Sequence, residues 1–247
     1  MSSIGLIVAL AQECRSLTSR KVPEGRSHRL DDGRLLVRAG AGPDAARKAA
    51  GLLLELGATA LVSWGCAAGL DPRLQPGDLV IPAAIRQPDG ALLRTDPVAV
   101  QALLDRLLPT LNPIVDTLLE TPVIVGMADE KERLFRDSGA VAADMESAAV
   151  ARVAAERGVP FLAVRSVADP AAMSLPPSIA AAFDDQGRLH LNRLFRSLLL
   201  RPGDIPGLIG VGRHFRLALA TLSRVNALAG TDLFGPGGDS ARRCPAS

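Results

Sequence analysis

The sequence ALVSWGCAAG, residues 60–69, joins a short apolar run to a series of small residues. The run at residues 60–63 is typical of a strand that is buried on both faces of a sheet. The glycines and alanines that follow it allow the backbone to approach a ligand or another strand closely. We therefore predict a buried strand that leads into a candidate ligand-binding turn.

Short apolar runs and segments with helical spacing alternate on both sides of this stretch. Further strands are predicted at residues 4–9, 35–39, 79–83, 122–125, 140–143 and 161–165, and helices at 44–56, 98–108, 147–157, 189–200 and 208–229. Strands that alternate with helices indicate a largely parallel sheet covered by helices. We predict an α/β fold, a single-domain three-layer α/β/α arrangement with a mixed, mostly parallel central sheet.

The composition fits one domain. The chain has 247 residues, of which 48% are hydrophobic and 22% charged, enough apolar material for one sizeable core. The predicted domain covers residues 1–235 and includes basic C-terminal helices from about residue 188. Residues 236–247, which are rich in Gly, Pro and Ser, are expected to be disordered.

The composition also disfavours several classes of protein. Aromatic residues make up 3% and Tyr is absent, so stacking platforms for nucleic acid are scarce and we expect no nucleic-acid partner. No uninterrupted apolar run reaches the roughly 18 residues that a spanning helix needs. The three cysteines are too far apart for a CxxC metal site or a disulfide scaffold, and the three histidines are dispersed. We expect a cytoplasmic protein without a metal ion.

Three acidic residues follow predicted strands: Glu13, Glu146 and Asp169. Ligands of open α/β sheets bind beyond the carboxyl ends of the strands, so these side chains can converge although they are distant in sequence. The alternative is that each one caps a helix or lies in a solvated loop.

Four motifs occur in order: residues 4–13, which end at Glu13; GCAAGL at 65–70; ADMESA at 143–148; and VRSVAD at 164–169. Together they resemble the nucleoside phosphorylase and methylthioadenosine/S-adenosylhomocysteine nucleosidase superfamily over residues 4–185. The short middle region, the DMES sequence and the basic C-terminal helices are most similar to the hopanoid-associated phosphorylase branch, which acts on adenosylhopane.

The resemblance implies roles for particular residues in cleavage of an N-glycosidic bond. Asp169 matches the acid that protonates or hydrogen-bonds N7 of the purine, Glu146 the acid that binds the ribose hydroxyls, and Glu13 the general base for water. Met145 is expected to pack against the ribose. The remaining predicted substrate-binding residues are Cys66, Ala67, Ala68 and Gly69.

The sequence also departs from the superfamily pattern. Cys66 and Ala68 replace the usual Ser and Gly of the glycine loop, and Ala168 replaces the Ser that commonly precedes the catalytic Asp. A hydroxyl contact and a hydrogen bond that orients Asp169 are therefore missing. The stretch at residues 127–135 is short, and no base-stacking residue is identified.

The nucleophile is either water or inorganic phosphate. Phosphate would be a co-substrate, and no cofactor is expected. Phosphorolysis needs an anion pocket of Arg, backbone N–H and hydroxyl groups, and Glu13 occupies the position where phosphorylases tend to have Gly and Arg. Arg34 and Arg38 are candidate phosphate ligands, but arginines on a strand are more often solvated. We therefore expect hydrolysis.

Residues 186–224 contain seven Arg and one Asp, a net charge of +6, whereas residues 1–185 carry a net charge of −4. The segment at 188–224 predicts basic amphipathic helices, most simply helices packed on their own sheet. For a lipid-linked nucleoside, the same segment would hold the enzyme peripherally at the inner face of an anionic membrane.

Two other functions remain open. One is a nucleosidase for soluble methylthioadenosine or S-adenosylhomocysteine, and the other is a non-catalytic nucleoside-binding protein. The resemblance further implies a homo-oligomer, because active sites in this superfamily often include residues from a neighbouring subunit.

Overall fold

The computed structural model describes residues 3–180 and 201–234. Its strands are β1 (Ser3–Val8), β2 (Ser27–Arg29), β3 (Leu35–Arg38), β4 (Ala58–Gly69), β5 (Leu79–Val80), β6 (Ala84–Arg86), β7 (Leu92–Arg94), β8 (Thr117–Glu120), β9 (Ala142–Asp144) and β10 (Phe161–Asp169). Its α-helices are α1 (Ala11–Cys14), α2 (Pro43–Glu55), α3 (Pro97–Leu107), α4 (Ala128–Ser138), α5 (Ser147–Glu156), α6 (Pro177–Ala180) and α7 (Ile205–Ala229).

The strands form one mixed sheet in the order β2-β3-β1-β4-β9-β8-β6-β7, with β10 and β5 joined to it through β4. β1 pairs in parallel with β3 and β4, and β10 pairs in parallel with β4. β8 pairs in parallel with β6 and β9, whereas β4 meets β9 in antiparallel fashion at its last two residues. β4 is therefore the strand on which both halves of the sheet converge.

Helices cover both faces of this sheet because alternate residues of each strand point to opposite sides. On β1, Ile7 belongs to a buried cluster with residues of α2 and α5, whereas Leu6 and Val8 belong to a cluster with residues of α3 and α7. The two clusters are the two cores of a three-layer α/β/α domain. Among the described residues, every helix is too short or too polar to span a lipid bilayer.

Local sequence explains how the helices begin and end. α2 starts with Pro43 directly after Gly42, whose φ of 95° belongs to the left-handed region. The side chain of Asp96 accepts hydrogen bonds from the backbone N–H groups of Val98 and Ala99 and so caps α3. α4 ends at Gly139, which has a φ of 66°.

The α/β fold with a mixed sheet and helices on both faces confirms the fold class predicted from the sequence. The predicted strand at residues 122–125 is wrong, because the strand ends at Glu120 and Pro122 lies beyond it. The strands predicted at 60–63 and 161–165 are longer in the structure, since β4 and β10 pair with each other through residues 68 and 169. The predicted helix at 189–200 and the tail at 236–247 lie outside the described residues.

Candidate active site

A cavity of about 200 Å³ opens where β1, β4, β9 and β10 reach their carboxyl ends. Glu13, Glu146 and Asp169 all line it, although they are distant in sequence. Asp144 also contributes to the lining, so four carboxyl groups surround one space. This is the position in which open α/β sheets bind ligands.

Glu13 lies in α1, directly after β1, and only 4% of it is exposed. Its Oε2 accepts hydrogen bonds from the backbone N–H of Ala9 at 3.1 Å and of Leu10 at 2.9 Å. Its Oε1 accepts one from the N–H of Cys66 on β4 at 2.8 Å. Burial raises the pKa of Glu13, and the hydrogen bonds from Cys66 and Leu10 partly oppose this.

Gly65 makes room for this carboxylate. A Cβ atom on Gly65 would lie 2.5 Å from Glu13 Oε1 and 2.9 Å from its carboxyl carbon. Real Cβ atoms do not approach other atoms so closely, so only glycine allows the Glu13 carboxylate to lie against the backbone of β4.

Glu146 follows β9 and is held by the turn before α2. Its Oε1 accepts a hydrogen bond from the N–H of Gly42 at 2.8 Å. The Gly40-Ala41-Gly42 sequence therefore forms a tight turn into α2 and presents one N–H to a carboxylate. Burial and, to a smaller extent, repulsion from Asp144 raise the pKa of Glu146 to about 7, while attraction to Arg165 and the Gly42 hydrogen bond lower it.

Arg165 lies behind the acidic cavity and is 2% exposed. Its Nε donates to Asp144 Oδ2 at 2.7 Å, and its Nη2 donates to Ser63 Oγ at 2.6 Å and to Ser147 Oγ at 3.0 Å. Through these contacts the guanidinium neutralises the Asp144 carboxylate and holds the start of α5 in place. The VRSVAD motif contains this arginine, but the sequence analysis assigned it no role.

Asp169 ends β10, and 15% of its side chain is exposed. Its Oδ2 lies 2.7 Å from Nζ of Lys131, a fully buried residue of α4. Burial raises the pKa of Asp169 to about 6, and the charge and hydrogen bond of Lys131 lower it. Lys131 is not distinguished in the sequence, because Asp, Glu and Arg surround it and nothing there marks it as buried.

The other predicted substrate-binding residues lie near the same cavity. Met145, Cys66, Ala67 and Ala68 line it. Gly69 is not one of the lining residues; a Cβ there would lie 3.1 Å from Val167 Cγ1, so this glycine lets β4 and β10 pack closely. Burial raises the pKa of the Cys66 thiol well above its usual range, which favours a neutral thiol and no nucleophilic role.

The two arginines considered as phosphate ligands do not line this cavity. The prediction of a solvated Arg34 is wrong: the residue is 4% exposed, and its Nη2 lies 2.6 Å from Asp32 Oδ2 and donates to Asn226 Oδ1 at 2.7 Å. Arg38 lies 3.5 Å from Glu24 Oε2. Each arginine therefore pairs with a nearby carboxylate, and neither lines the cavity.

The remaining lining of the cavity is apolar and includes Leu10, Ile124, Val125 and Leu175. A second, larger cavity of about 660 Å³ adjoins it and shares Ala41 and Met145 with it. In the part of the chain that the structure describes, no group of three or more His, Cys, Asp or Glu side chains is arranged to hold a metal ion.

The chain is similar to known proteins in sequence and in fold. A 5'-methylthioadenosine/S-adenosylhomocysteine nucleosidase of Glaesserella parasuis is 28% identical over 197 residues, which cover 67% of this chain and 85% of that protein. The structure of futalosine hydrolase from Helicobacter pylori matches with a TM-score of 0.69 and 16% identity, over 92% of this chain and 96% of that one.

A nucleosidase of the same name from Neisseria meningitidis, solved in complex with methylthio-immucillin-A, matches with a TM-score of 0.68 and 19% identity. That match covers 92% of this chain and 97% of the other. The sequence model of the phosphorylase superfamily matches residues 3–199. The chain therefore belongs to the phosphorylase superfamily, and it is an enzyme of the nucleosidase or nucleoside phosphorylase type.

Proposed function

We propose that this enzyme hydrolyses the N-glycosidic bond of an adenine nucleoside and releases adenine. The observation that carries the proposal is the acidic lining of the cavity. Four carboxyl groups line it, and none of the lining residues among those described is Arg, Lys or His. Glycosidic cleavage passes through a cationic, oxocarbenium-like transition state, which such a lining stabilises.

Asp169 is the proposed acid. With its pKa raised from 3.8 to about 6, about one carboxyl group in ten holds a proton at pH 7, far more than at the ordinary pKa of an aspartate. As the bond between C1' of the ribose and N9 of adenine breaks, its electron pair moves to the purine, and Asp169 gives its proton to N7. Adenine then leaves as a neutral base.

Glu146 and Glu13 are proposed to act on the sugar side. Glu146, held by the N–H of Gly42, accepts hydrogen bonds from the ribose hydroxyls and stabilises positive charge on the sugar. Glu13 takes a proton from the water molecule that attacks C1'. Its three backbone hydrogen bonds orient the carboxylate for this step.

The same cavity disfavours phosphate as the nucleophile. A phosphate dianion needs cationic or N–H donors around it, and carboxylates repel it. Arg34 and Arg38, the two candidates from the sequence, are paired with Asp32 and Glu24 away from the cavity. These contacts support water in place of phosphate.

As the substrate we propose adenosylhopane, an intermediate of hopanoid synthesis in which the nucleoside carries a large apolar group. Leu10, Ile124 and Leu175 offer an apolar wall to such a group. The adjoining cavity of about 660 Å³ gives further space beside Met145. A soluble methylthioadenosine or S-adenosylhomocysteine is the alternative, favoured by the name of the relative that is 28% identical.

Peripheral membrane contact is a second part of this proposal. Five exposed residues of α7 follow one another at helical spacing along one side, and we call them the outer stripe: Ile205, Ile209, Arg213, Arg216 and Leu217. Apolar and cationic side chains on one helical face are typical of a helix that lies on an anionic membrane. The resemblance to the superfamily also supports a homo-oligomer, which sedimentation analysis would measure.

The reaction is tested by incubating the purified enzyme with adenosylhopane and with methylthioadenosine, each with and without inorganic phosphate. We expect adenine release without phosphate, a free sugar product, and a faster reaction with adenosylhopane. A requirement for phosphate, with a sugar 1-phosphate as product, would contradict hydrolysis. Faster cleavage of methylthioadenosine would support the alternative substrate.

Asp169→Asn provides the matching variant. It should lower the rate of adenine release by about 10²–10⁴-fold, the contribution typical of a positioned acid. Asp129→Asn makes the same chemical change at an exposed residue of α4 and should leave the rate unchanged. A wild-type protein that binds the nucleoside as Asp169→Asn does and never releases adenine would instead be a non-catalytic binding protein.

A further inference from the structure

Lys131 is a fully buried residue of α4, and its side chain reaches the end of β10. Its Nζ lies 2.7 Å from Asp169 Oδ2, 3.1 Å from the carbonyl oxygen of Pro170 and 2.9 Å from that of Met173. A fourth, longer contact of 3.5 Å joins Nζ to the carbonyl oxygen of Asp169, and all four partners are oxygen acceptors. A lysine ammonium has three N–H donors and no acceptor, so these contacts fit the protonated form and occupy each donor.

The position before Asp169 makes this contact informative. Ala168 has no hydroxyl group and so cannot orient the carboxyl as a serine would. Lys131 of α4 donates to the same carboxyl. It also donates to the carbonyl oxygen of Met173, and so links Asp169 Oδ2 to the segment that follows β10. Asp169 also lines the cavity, where a ligand would meet it.

On the basis of the proposed nucleosidase reaction, we propose that Lys131 is a positioning residue for Asp169. It fixes the carboxyl through Oδ2 and stabilises the carboxylate that remains once the proton has passed to N7 of adenine. A buried cation beside an acid makes proton release more favourable, because the charged product is paired as it forms.

The other ionisable groups around Asp169 do not supply this charge. Cys66 on β4 faces it with a thiol whose pKa is raised well above its usual range. Glu13 and Glu146 line the same cavity and are acids. Removing Lys131 therefore leaves Asp169 among neutral or acidic neighbours, and its proton should be held more tightly.

Two neutral variants and one charged variant test the proposal. Lys131→Gln keeps an N–H donor without charge, Lys131→Met removes both, and Lys131→Arg keeps the charge. Lys21→Met is a matched control, because Lys21 is exposed. Melting curves by circular dichroism show which variants fold. If one neutral variant does not fold, the other still tests the proposal.

The first readout is the pH profile of kcat/KM for adenine release. If Asp169 must be protonated to act, activity falls as the pH rises through its pKa. Loss of the neighbouring charge should move this decline upward by about 1–3 pH units in the neutral variants. Lys131→Arg and Lys21→Met should keep the wild-type profile. A loss of activity that is equal at every pH would indicate a purely structural role and overturn the proposal.

The second readout does not depend on activity. The carboxyl carbon of Asp169 is titrated by nuclear magnetic resonance and assigned by its absence in Asp169→Asn. We expect its midpoint to rise in Lys131→Gln and Lys131→Met and to stay in place in Lys131→Arg. An unshifted midpoint in a folded neutral variant overturns the role of Lys131, whereas a wild-type protein that releases no adenine overturns the proposed reaction alone.

Discussion

At the scale of single residues, the acids of the cavity are held in an environment that opposes their ionisation. Burial raises the pKa of Glu13, Glu146 and Asp169, and Arg165 and Lys131 offset only part of that effect. Such groups bind protons more tightly in the folded state than in the unfolded chain, so they reduce stability at the pH where they must ionise. The chemistry of the site and the stability of the fold are therefore in conflict.

Glu146→Gln should expose this conflict. The pKa of Glu146 rises from 4.5 to about 7 on folding, so its cost to stability is absent below pH 4.5, grows between pH 4.5 and 7 and is complete above that. Gln removes the cost and can still accept the Gly42 hydrogen bond. We expect the variant to exceed the wild type in free energy of unfolding by up to roughly 3 kcal/mol at pH 8.

Urea denaturation at pH 4.5 and pH 8 measures the effect. The two proteins should have similar stability at the lower pH, and the variant should release adenine much more slowly. Equal stability at pH 8 would show that the ionised carboxyl group of Glu146 is buried on folding without cost, contrary to its raised pKa.

The sequence distinguishes some of the residues around this cavity and not others. Glu13, Glu146 and Asp169 stand out because each follows an apolar run and belongs to a recognisable motif. Lys131 and Arg165 do not stand out, because their importance comes from burial against distant segments. Arg165, for example, donates to Ser63, 102 positions away in the sequence. Such a contact exists only once the sheet has formed.

At the scale of elements, β4 contains both the buried strand and the candidate ligand-binding segment, which the sequence predicted as a strand and a separate turn. We expected a strand at residues 60–63 and a turn after it, yet the small residues continue the strand to Gly69. They do so because β4 finds partners along its whole length: Cys66 pairs with Ser166 of β10, and Ala68 pairs with Ala143 of β9. Apolar periodicity alone gives no sign of those partners.

The missed strands have a related cause. β2, β6 and β7 have three residues each, and every residue of β2 and β7, which lie at the edges of the sheet, is at least partly exposed. Short edge strands owe their conformation to the ladder beside them and not to a long apolar run. The long buried strands and the helices α2, α3, α5 and α7 were predicted, whereas these edge strands and the highly charged helix α4 were not.

Gly65 of β4 gives a prediction at this scale, because it decides how closely α1 approaches the sheet. In Gly65→Ala the new Cβ would meet Glu13 Oε1 at 2.5 Å, and the carboxylate must move away from the N–H of Cys66. We expect kcat for adenine release to fall by about 10²-fold or more, since displacing a general base removes most of its contribution.

Gly51→Ala is the matched control. Gly51 lies in α2, and a Cβ there would meet nothing within 4 Å. This variant should keep full activity and gain about 0.5–1 kcal/mol of stability, because alanine favours the helix. If Gly65→Ala kept wild-type kinetics, the contact between Glu13 and β4 would have no part in catalysis.

At the scale of the whole molecule, the charge is divided along the chain. Residues 1–185 carry 19 basic and 23 acidic side chains, and the active-site cavity lies within them, whereas residues 186–224 carry a net charge of +6. In the described part of that basic segment, α7 packs Leu222 and Val225 into the core and leaves Ile209 67% exposed. An acidic cavity together with a basic, partly apolar helix is what the proposed function requires of an enzyme that meets its substrate at an anionic membrane.

Cosedimentation with lipid vesicles tests this arrangement. At low salt the enzyme should bind anionic vesicles and not zwitterionic ones, and high salt should release it, because exposed charges are screened. In the outer stripe, the double variant Arg213→Gln, Arg216→Gln should weaken binding by about 2 kcal/mol, or about 30-fold, at about 1 kcal/mol for each arginine near the surface.

The variant Arg20→Gln, Arg47→Gln removes the same net charge from two arginines whose side chains are each 62% exposed, and it should bind as the wild type does. Equal weakening in both variants would show that net charge alone drives the attraction, and no binding by the wild type would remove the membrane contact from the proposed function.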